Sequence, residues 1–180
     1  MGDAGSPDET VAAFLARWLD DNVAPTRRPG TLRSYTYVVK QHITPHIGTM
    51  TVGSVQPRHV QHLIAGLSAG GNLSPASVRL VLRVLRVAFG LAERWGMVAT
   101  SPARHVEPPR QGPRRGTPMS KDEARRFIEA AKGERLEALF VLAVTVGMRR
   151  GELLGLPWVN VDLDAGTVAI TQQVAHTAGG

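Results

Sequence analysis

The stretch SPASVRLVLRVLRVAFGLAERW, Ser74–Trp95, decides the fold. Ser74 can cap a helix and Pro75 suits its first position, since that N–H would be unsatisfied anyway. Val78, Val81, Leu82, Leu85, Phe89 and Ala92 recur at helical spacing and form one packing stripe. At about 100° per residue, Arg79, Arg83, Arg86 and Arg94 fall in a separate arc of roughly 80°. A charged helix face is ordinarily a solvated one, with acids and bases paired four residues apart. Here the only acid is Glu93, so pairing along the helix does not account for four arginines. The planar guanidinium fork suits phosphate oxygens and guanine edges.

Working towards the N-terminus, three shorter helices are expected. Ser6-Pro7-Asp8-Glu9 reads as a capping box, followed by Val11, Phe14, Leu15, Trp18 and Leu19 on a helix that ends near Asp21. Thr31 caps a second, with Leu32, Tyr35, Val39, His42 and Ile43 on one face, and TPHIG at Thr44–Gly48 breaks it. A third opens at Pro57 and buries Val60, Leu63, Ile64 and Leu67. SAGGN then turns the chain into the long helix.

The 180-residue chain can bury a substantial core, has no cysteine and carries a net charge of +6. The distribution says more than the total. Residues 1–22 carry −4, residues 23–120 carry +11, and residues 121–180 carry −1. From Asn22 to Ala92 there is no acidic side chain. A surface stripped of acids attracts polyanions, which points to nucleic acid; the plain alternative is a basic solubilising surface. The acidic start, MGDAGSPDET, has no secretory character, and no apolar run approaches the roughly 20 residues of a membrane span. His42 with His46, and His59 with His62, lack a neighbouring carboxylate or thiol, so no metal is expected.

Beyond the long helix the composition changes. SPARHVEPPRQGPRRGTP, Ser101–Pro118, has no apolar period and reads as an extended basic linker carrying Arg104, Arg110, Arg114 and Arg115. Ser120-Lys121-Asp122-Glu123 is a second capping box, opening an amphipathic helix through Ala124, Phe127, Ile128 and Ala131. Leu136, Leu139, Phe140, Ala143 and Val144 mark a more buried helix. Val159, Val161 and Leu163, then Val168, Ile170 and Gln172, alternate about an Asp164-Ala165-Gly166 turn. One hairpin with open edges predicts a domain only begun.

Between them lies TVGMRRGELLGL, Thr145–Leu156. An arginine placed just past an apolar helix, at a tight glycine, has Glu152 in reach to orient it by a bidentate pair. A fixed, partly buried arginine at a helix start suits phosphoryl transfer, where charge develops on the non-bridging oxygens. An ordinary surface arginine–glutamate pair fits the same residues. A helix-turn-helix is the third reading, but Pro157 and Trp158 stand where a polar recognition helix would begin.

Three stretches together resemble the tyrosine recombinase, or phage integrase, family. HITPHIGTMTVGSVQPRHVQHLIAGL is similar to the helix–loop–helix of its SAM-like core-binding domain. SPASVRLVLRVLRVAFGLAERWGMVATSPARHVEPPR resembles that domain's last helix and exit. MSKDEARRFIEAA with LFVLAVTVGMRRGELLGLPWVNVDLDAGTVAI resembles the start of the catalytic domain. The family's threonine–glycine–x–arginine–x–x–glutamate motif falls on Gly147–Glu152, with Thr145 one place removed from its usual neighbour.

The resemblance implies a mainly α protein. A four-helix SAM-like DNA-binding domain is followed by a basic linker and the truncated α+β N-terminal part of a recombinase catalytic domain. The expected bounds are a tail at 1–7, the core-binding domain at 8–107, the linker at 108–118 and the catalytic part at 119–180. It implies Arg149 as the first catalytic arginine on the scissile phosphate, Glu152 as its support, and Arg150 as an exposed neighbour. It implies a tyrosine nucleophile forming a 3′-phosphotyrosyl bond, a hairpin lysine, a histidine–x–x–arginine box and a later histidine or tryptophan, all beyond Val174. Tyr35 and Tyr37, the only tyrosines, are not nominated.

The expected partner is double-stranded DNA, contacted by Arg33, Lys40, Arg79, Arg83, Arg86, Arg114 and Arg115. No cofactor, metal or membrane is expected; the location is cytoplasmic on DNA, with self-association on DNA in the full-length protein. This chain alone is expected to bind DNA without strand transfer, since residues of such a site act as a unit. The alternatives are a complete non-enzymatic DNA-binding protein, either a decayed integrase or an accessory regulator, and a basic protein-interaction module.

Overall fold

A computed structural model describes residues 6–110 and 117–174. The chain divides into two compact units, Met1–Pro113 and Arg114–Gly180.

The first unit is helical: α1 (Val11–Trp18), α2 (Pro29–Val38), α3 (Thr44–Ile47), α4 (Pro57–Ala69) and α5 (Pro75–Arg94). Its core is continuous. Phe14, Leu15, Ile43, Val60, Leu82, Leu85 and Phe89 are fully buried, with the Phe14 ring 6.2 Å from Phe89 and edge-on to Trp95 at 6.4 Å. Such a ring cluster gains from geometry as well as from burial. The long helix forms as its sequence dictates: Ser74 Oγ accepts from the Ser77 N–H at 3.1 Å, and Pro75 opens the first turn.

Three local expectations fail for identifiable reasons. Ser6 does not cap α1; Thr10 does, its hydroxyl accepting from the Ala13 N–H. The Pro7–Val11 backbone is instead engaged with residues 50–53: Val11 N–H donates to Met50 O, Val52 N–H to Glu9 O and Gly53 N–H to Pro7 O. That pairing holds Thr10 extended, so the helix starts four residues later than the box implies. Nor does α1 stop at Asp21, because a wider π-type turn carries it to Val23. The second helix begins at Pro29 rather than after Thr31 and is not broken at Thr44. A second π-type turn, Val39–Ile43, absorbs the register so that Pro45 falls in the first turn of α3, where its missing N–H costs nothing.

Residues 101–110 also depart from the extended-linker reading. Ser101, Pro102, Ala103 and Val106 are buried, and this segment packs on the first unit.

The second unit comprises α6 (Lys121–Ala130), α7 (Glu137–Thr145), α8 (Arg150–Leu154) and a short antiparallel hairpin, β1 (Val161–Asp162) with β2 (Thr167–Val168), in register Val161 to Val168. Its capping box forms as read: Glu123 N–H donates to Ser120 Oγ, and Ser120 N–H to the Glu123 carboxylate at 2.8 Å. The burial expected of α7 is not found. None of its residues is buried. Leu139, Leu142, Leu153 and Leu156 line an open apolar groove of about 620 Å³. Val159 lies in a 3₁₀ turn, not a strand, and is 90% exposed. The Asp162 carboxylate accepts the Asp164 and Ala165 N–H groups and Gly166 takes φ +62°, which closes the turn.

Candidate functional site

The arginine arc of α5 does not act as one surface. Arg86 donates to two carbonyls, Ala103 O at 3.2 Å and Val106 O at 2.6 Å, both part-buried. Arg79 donates to Pro109 O at 3.2 Å. Glu93 turns away from the helical arginines: it accepts the Ser101 N–H at 3.3 Å and pairs with Arg104 at 2.7 Å. Arg83 and Arg94 have no hydrogen-bond or ion-pair partner among the described residues. Arg79, Arg83 and Arg86 line one concavity of about 610 Å³ with Leu80, Val87 and Pro108.

Of the other sequence-derived candidates, Arg33 and Lys40 are exposed on α2 and the turn that follows it. Arg114 and Arg115 lie outside the described residues. Tyr35 is half-buried and stacks on Trp18 at 5.8 Å, whereas Tyr37 is 60% exposed and meets His42 edge-on. His46, His59 and His62 border one groove, but among the described residues no three His, Cys, Asp or Glu side chains are placed to hold a metal ion. Among those residues, too, no helix is long and apolar enough to cross a membrane.

In the second unit the motif around Arg149 is built by the backbone. Gly147 takes φ +71°, a conformation that favours glycine, and ends α7. Arg149 is extended at φ −68°, ψ 149° and stands at the N-terminus of α8. The Glu152 carboxylate reaches back to it with both oxygens: Oε2 accepts the Arg149 N–H at 2.9 Å and Oε1 the guanidinium Nη1 at 2.9 Å. The pair is therefore a helix-cap arrangement and not the fork-on-fork bidentate pair expected. The Arg149 backbone N–H, then its guanidinium, hold the Glu152 carboxyl below the usual carboxylate range. The arginine is also not partly buried: its side chain is 85% exposed and that of Glu152 is 14% exposed. Glu152 is the fixed member and Arg149 projects from it.

The sequence reading gave no role to Gly151 and Gly155, which let the chain at 172–174 lie against α8. Val174 N–H donates to Gly151 O at 2.8 Å, and Gln172 Nε2 to Gly155 O at 2.8 Å. A Cβ at Gly151 would sit 2.8 Å from Val174 O, and one at Gly155 3.0 Å from Val174 N. Their four-residue spacing, which puts both on one helix face, was the available signal.

Comparisons with known proteins agree with this architecture. Residues 10–68 match the phage integrase N-terminal SAM-like domain. An integrase from Saccharopolyspora erythraea is 28% identical over 165 residues, covering 91% of this chain and 38% of that protein. A XerC-like tyrosine recombinase from Caldanaerobacter subterraneus is 27% identical over 180 residues, covering 93% and 44%. The chain thus spans less than half the length of these relatives. Among solved structures, a lambda integrase dimer bound to a COC' core site superposes with TM-score 0.72 at 20% identity, covering 91% of this chain and 48% of that one. The Tn1549 transposon integrase in complex with circular intermediate DNA gives TM-score 0.78 at 17% identity, covering 94% and 56%. Residues 10–68 thus carry a phage integrase N-terminal SAM-like domain, and over most of its length the chain is similar to integrases and tyrosine recombinases.

Proposed function

We propose that this chain is the DNA-binding portion of a site-specific tyrosine recombinase, gripping duplex DNA without carrying out strand transfer by itself. The carrying observation is electrostatic. No acid occurs from Asn22 to Ala92, and the next one, Glu93, is spent on Ser101 and Arg104. Nothing acidic on α5 therefore neutralises Arg79, Arg83 and Arg94. With Arg33 and Lys40, these are the residues expected to meet phosphates, joined by Arg114 and Arg115 beyond the described residues. The lambda and Tn1549 integrase structures, which hold DNA, support the reading.

Arg149 is assigned to the scissile phosphate and Glu152 to its support. The exposed guanidinium gives its terminal Nη1 to Glu152 and keeps further N–H groups to donate to a phosphoryl oxygen. The expected domains remain the core-binding part at 8–107, a linker at 108–118 and the beginning of a catalytic part at 119–180. Neither tyrosine serves as nucleophile. Tyr35 is packed on Trp18 at 5.8 Å and Tyr37 meets His42 edge-on. The reaction of the full enzyme conserves bond energy in a protein–DNA ester and needs no metal or nucleotide; its self-association on DNA is part of the same proposal.

The test is duplex binding by the 180-residue chain over a salt series, together with incubation on a nicked suicide duplex. Affinity should fall steeply and linearly on a log–log plot against salt, with no covalent adduct. Salt-independent binding would instead favour a protein-interaction module, and a covalent adduct would overturn the assignment of inactivity.

A further inference from the structure

Arg79, Arg86 and Glu93 are seven residues apart, so they form one row along α5, drifting only about 20° per step. Their partners follow in the opposite order: Glu93 holds Ser101 and Arg104, Arg86 holds Ala103 and Val106, and Arg79 holds Pro109. The row spans about 21 Å at a 1.5 Å rise per residue. Residues 101–104 form a turn closed by the Arg104 N–H donating to Ser101 O at 3.1 Å, and the chain carries no helix or strand from 106 to 109. Residues 101–109 therefore run back antiparallel along the helix, pegged by buried Ser101, Pro102, Ala103 and Val106. Arg83 and Arg94 lie on the other edge of the arc, without partners among the described residues.

We infer that Arg86, backed by the Glu93–Arg104 pair, is a positioning residue that fixes where the chain leaves the first unit, and is not a phosphate contact. Its Nε and Nη2 are held by two carbonyls that no other described residue satisfies, so a bidentate grip on phosphate through that edge would break both bonds. Fixing the exit lowers the entropy cost of ordering the connection when DNA is gripped. The inference rests on the DNA-binding reading for its salt arm alone.

The experiment compares Arg86→Gln with Arg83→Gln in the full chain. Two readouts are used: hydrogen exchange of the Ser101 and Arg104 amides, and duplex binding over a salt series. Arg86→Gln should speed exchange at Arg104 by roughly tenfold or more, because two charge-assisted bonds are lost. Its affinity should fall by about three- to tenfold with the salt slope unchanged. Arg83→Gln should lower the slope by about one and leave exchange alone. Unchanged exchange, unchanged affinity, or a slope lowered by about one in Arg86→Gln each overturns the inference. If circular dichroism shows that Arg86→Gln does not fold, Arg86→Lys replaces it. The lysine keeps the charge but loses the fork, so raised exchange at constant slope is expected and wild-type exchange refutes. Should the wild-type chain not bind duplex at all, the proposed function fails, while the exchange arm still decides the positioning role of Arg86.

Discussion

Replacing Gly151 with alanine tests how the Arg149 motif is held. The added Cβ would lie 2.8 Å from Val174 O and 3.6 Å from Gln173 Cβ. The nearer atom is backbone, so no rotamer change relieves it. Either α8 or the chain at 172–174 must move, and the 2.8 Å bond from Val174 N–H to Gly151 O goes with it. Overpacking costs about 1–3 kcal/mol. The lost hydrogen bond costs about 0.5–1.5 kcal/mol. The better helix propensity of alanine returns at most about 1 kcal/mol. The net is roughly 2 kcal/mol against docking of this segment, or about a thirty-fold larger local opening constant. Native-state hydrogen exchange at the Val174 amide reads it directly. Gly90, inside α5 with nothing within 4 Å of its would-be Cβ, is the internal control. Gly90→Ala should stabilise the first unit by about 0.5–1 kcal/mol. If Gly151→Ala leaves Val174 as protected as in the parent chain, the close approach does not hold the motif and the reasoning fails.

Phe89→Ala should cost the first unit about 3–5 kcal/mol in denaturant unfolding, since the ring is fully buried against Phe14; a loss below about 1 kcal/mol would contradict the core assignment. The Glu152 carboxyl is depressed in the folded chain, so its contribution is present above the unfolded carboxylate pKa and is lost as pH falls through the lower folded value. The Arg149 amide should therefore lose protection on acidification, and Glu152→Gln should flatten that response; a wild-type amide indifferent to acid down to pH ~2 would refute it. Finally, amides of α6 and α7 should exchange far faster than those of α5, because neither helix buries a residue fully while α5 buries eight. Equal protection would show that the second unit is steadier than its packing implies.

The fold was legible where one physical rule dominated. The apolar stripe of α5, its Ser74 cap and the Ser120–Glu123 box form as written, because each depends on residues within one or two turns. The failures came where distant backbone competed. Ser6–Glu9 satisfies the capping-box rule, but pairing with residues 50–53 takes the backbone that the first turn would need. Pro45 satisfies the rule for a break, but a π-type turn moved it to a tolerated position. Val159 continues an alternation with Val161, yet the 3₁₀ turn after Pro157 removes it from the strand. Burial in α7 was misread because apolar composition states what a helix would gain by burial, not that a partner is present. Its leucines border an open groove instead.

The site shows a sharper limit. Charge and helical phase identify an arginine arc, but cannot divide it, because a guanidinium that binds a carbonyl and one that binds a phosphate look alike in sequence. What separates Arg86 from Arg83 is a segment roughly twenty residues further along the chain, lying on one edge of the helix and not on the other. The seven-residue spacing of Arg79, Arg86 and Glu93 was visible; that it meant a row with a partner strand was not, since proline and glycine content argued for a free linker. Likewise, Arg149 and Glu152 were found as a pair, but their hierarchy depends on the backbone. Glu152 is held by the Arg149 N–H as well as by its side chain, so the carboxylate stays in place while the arginine remains available. Among the described residues only one of the arginine's terminal nitrogens is engaged, and the side chain is 85% exposed.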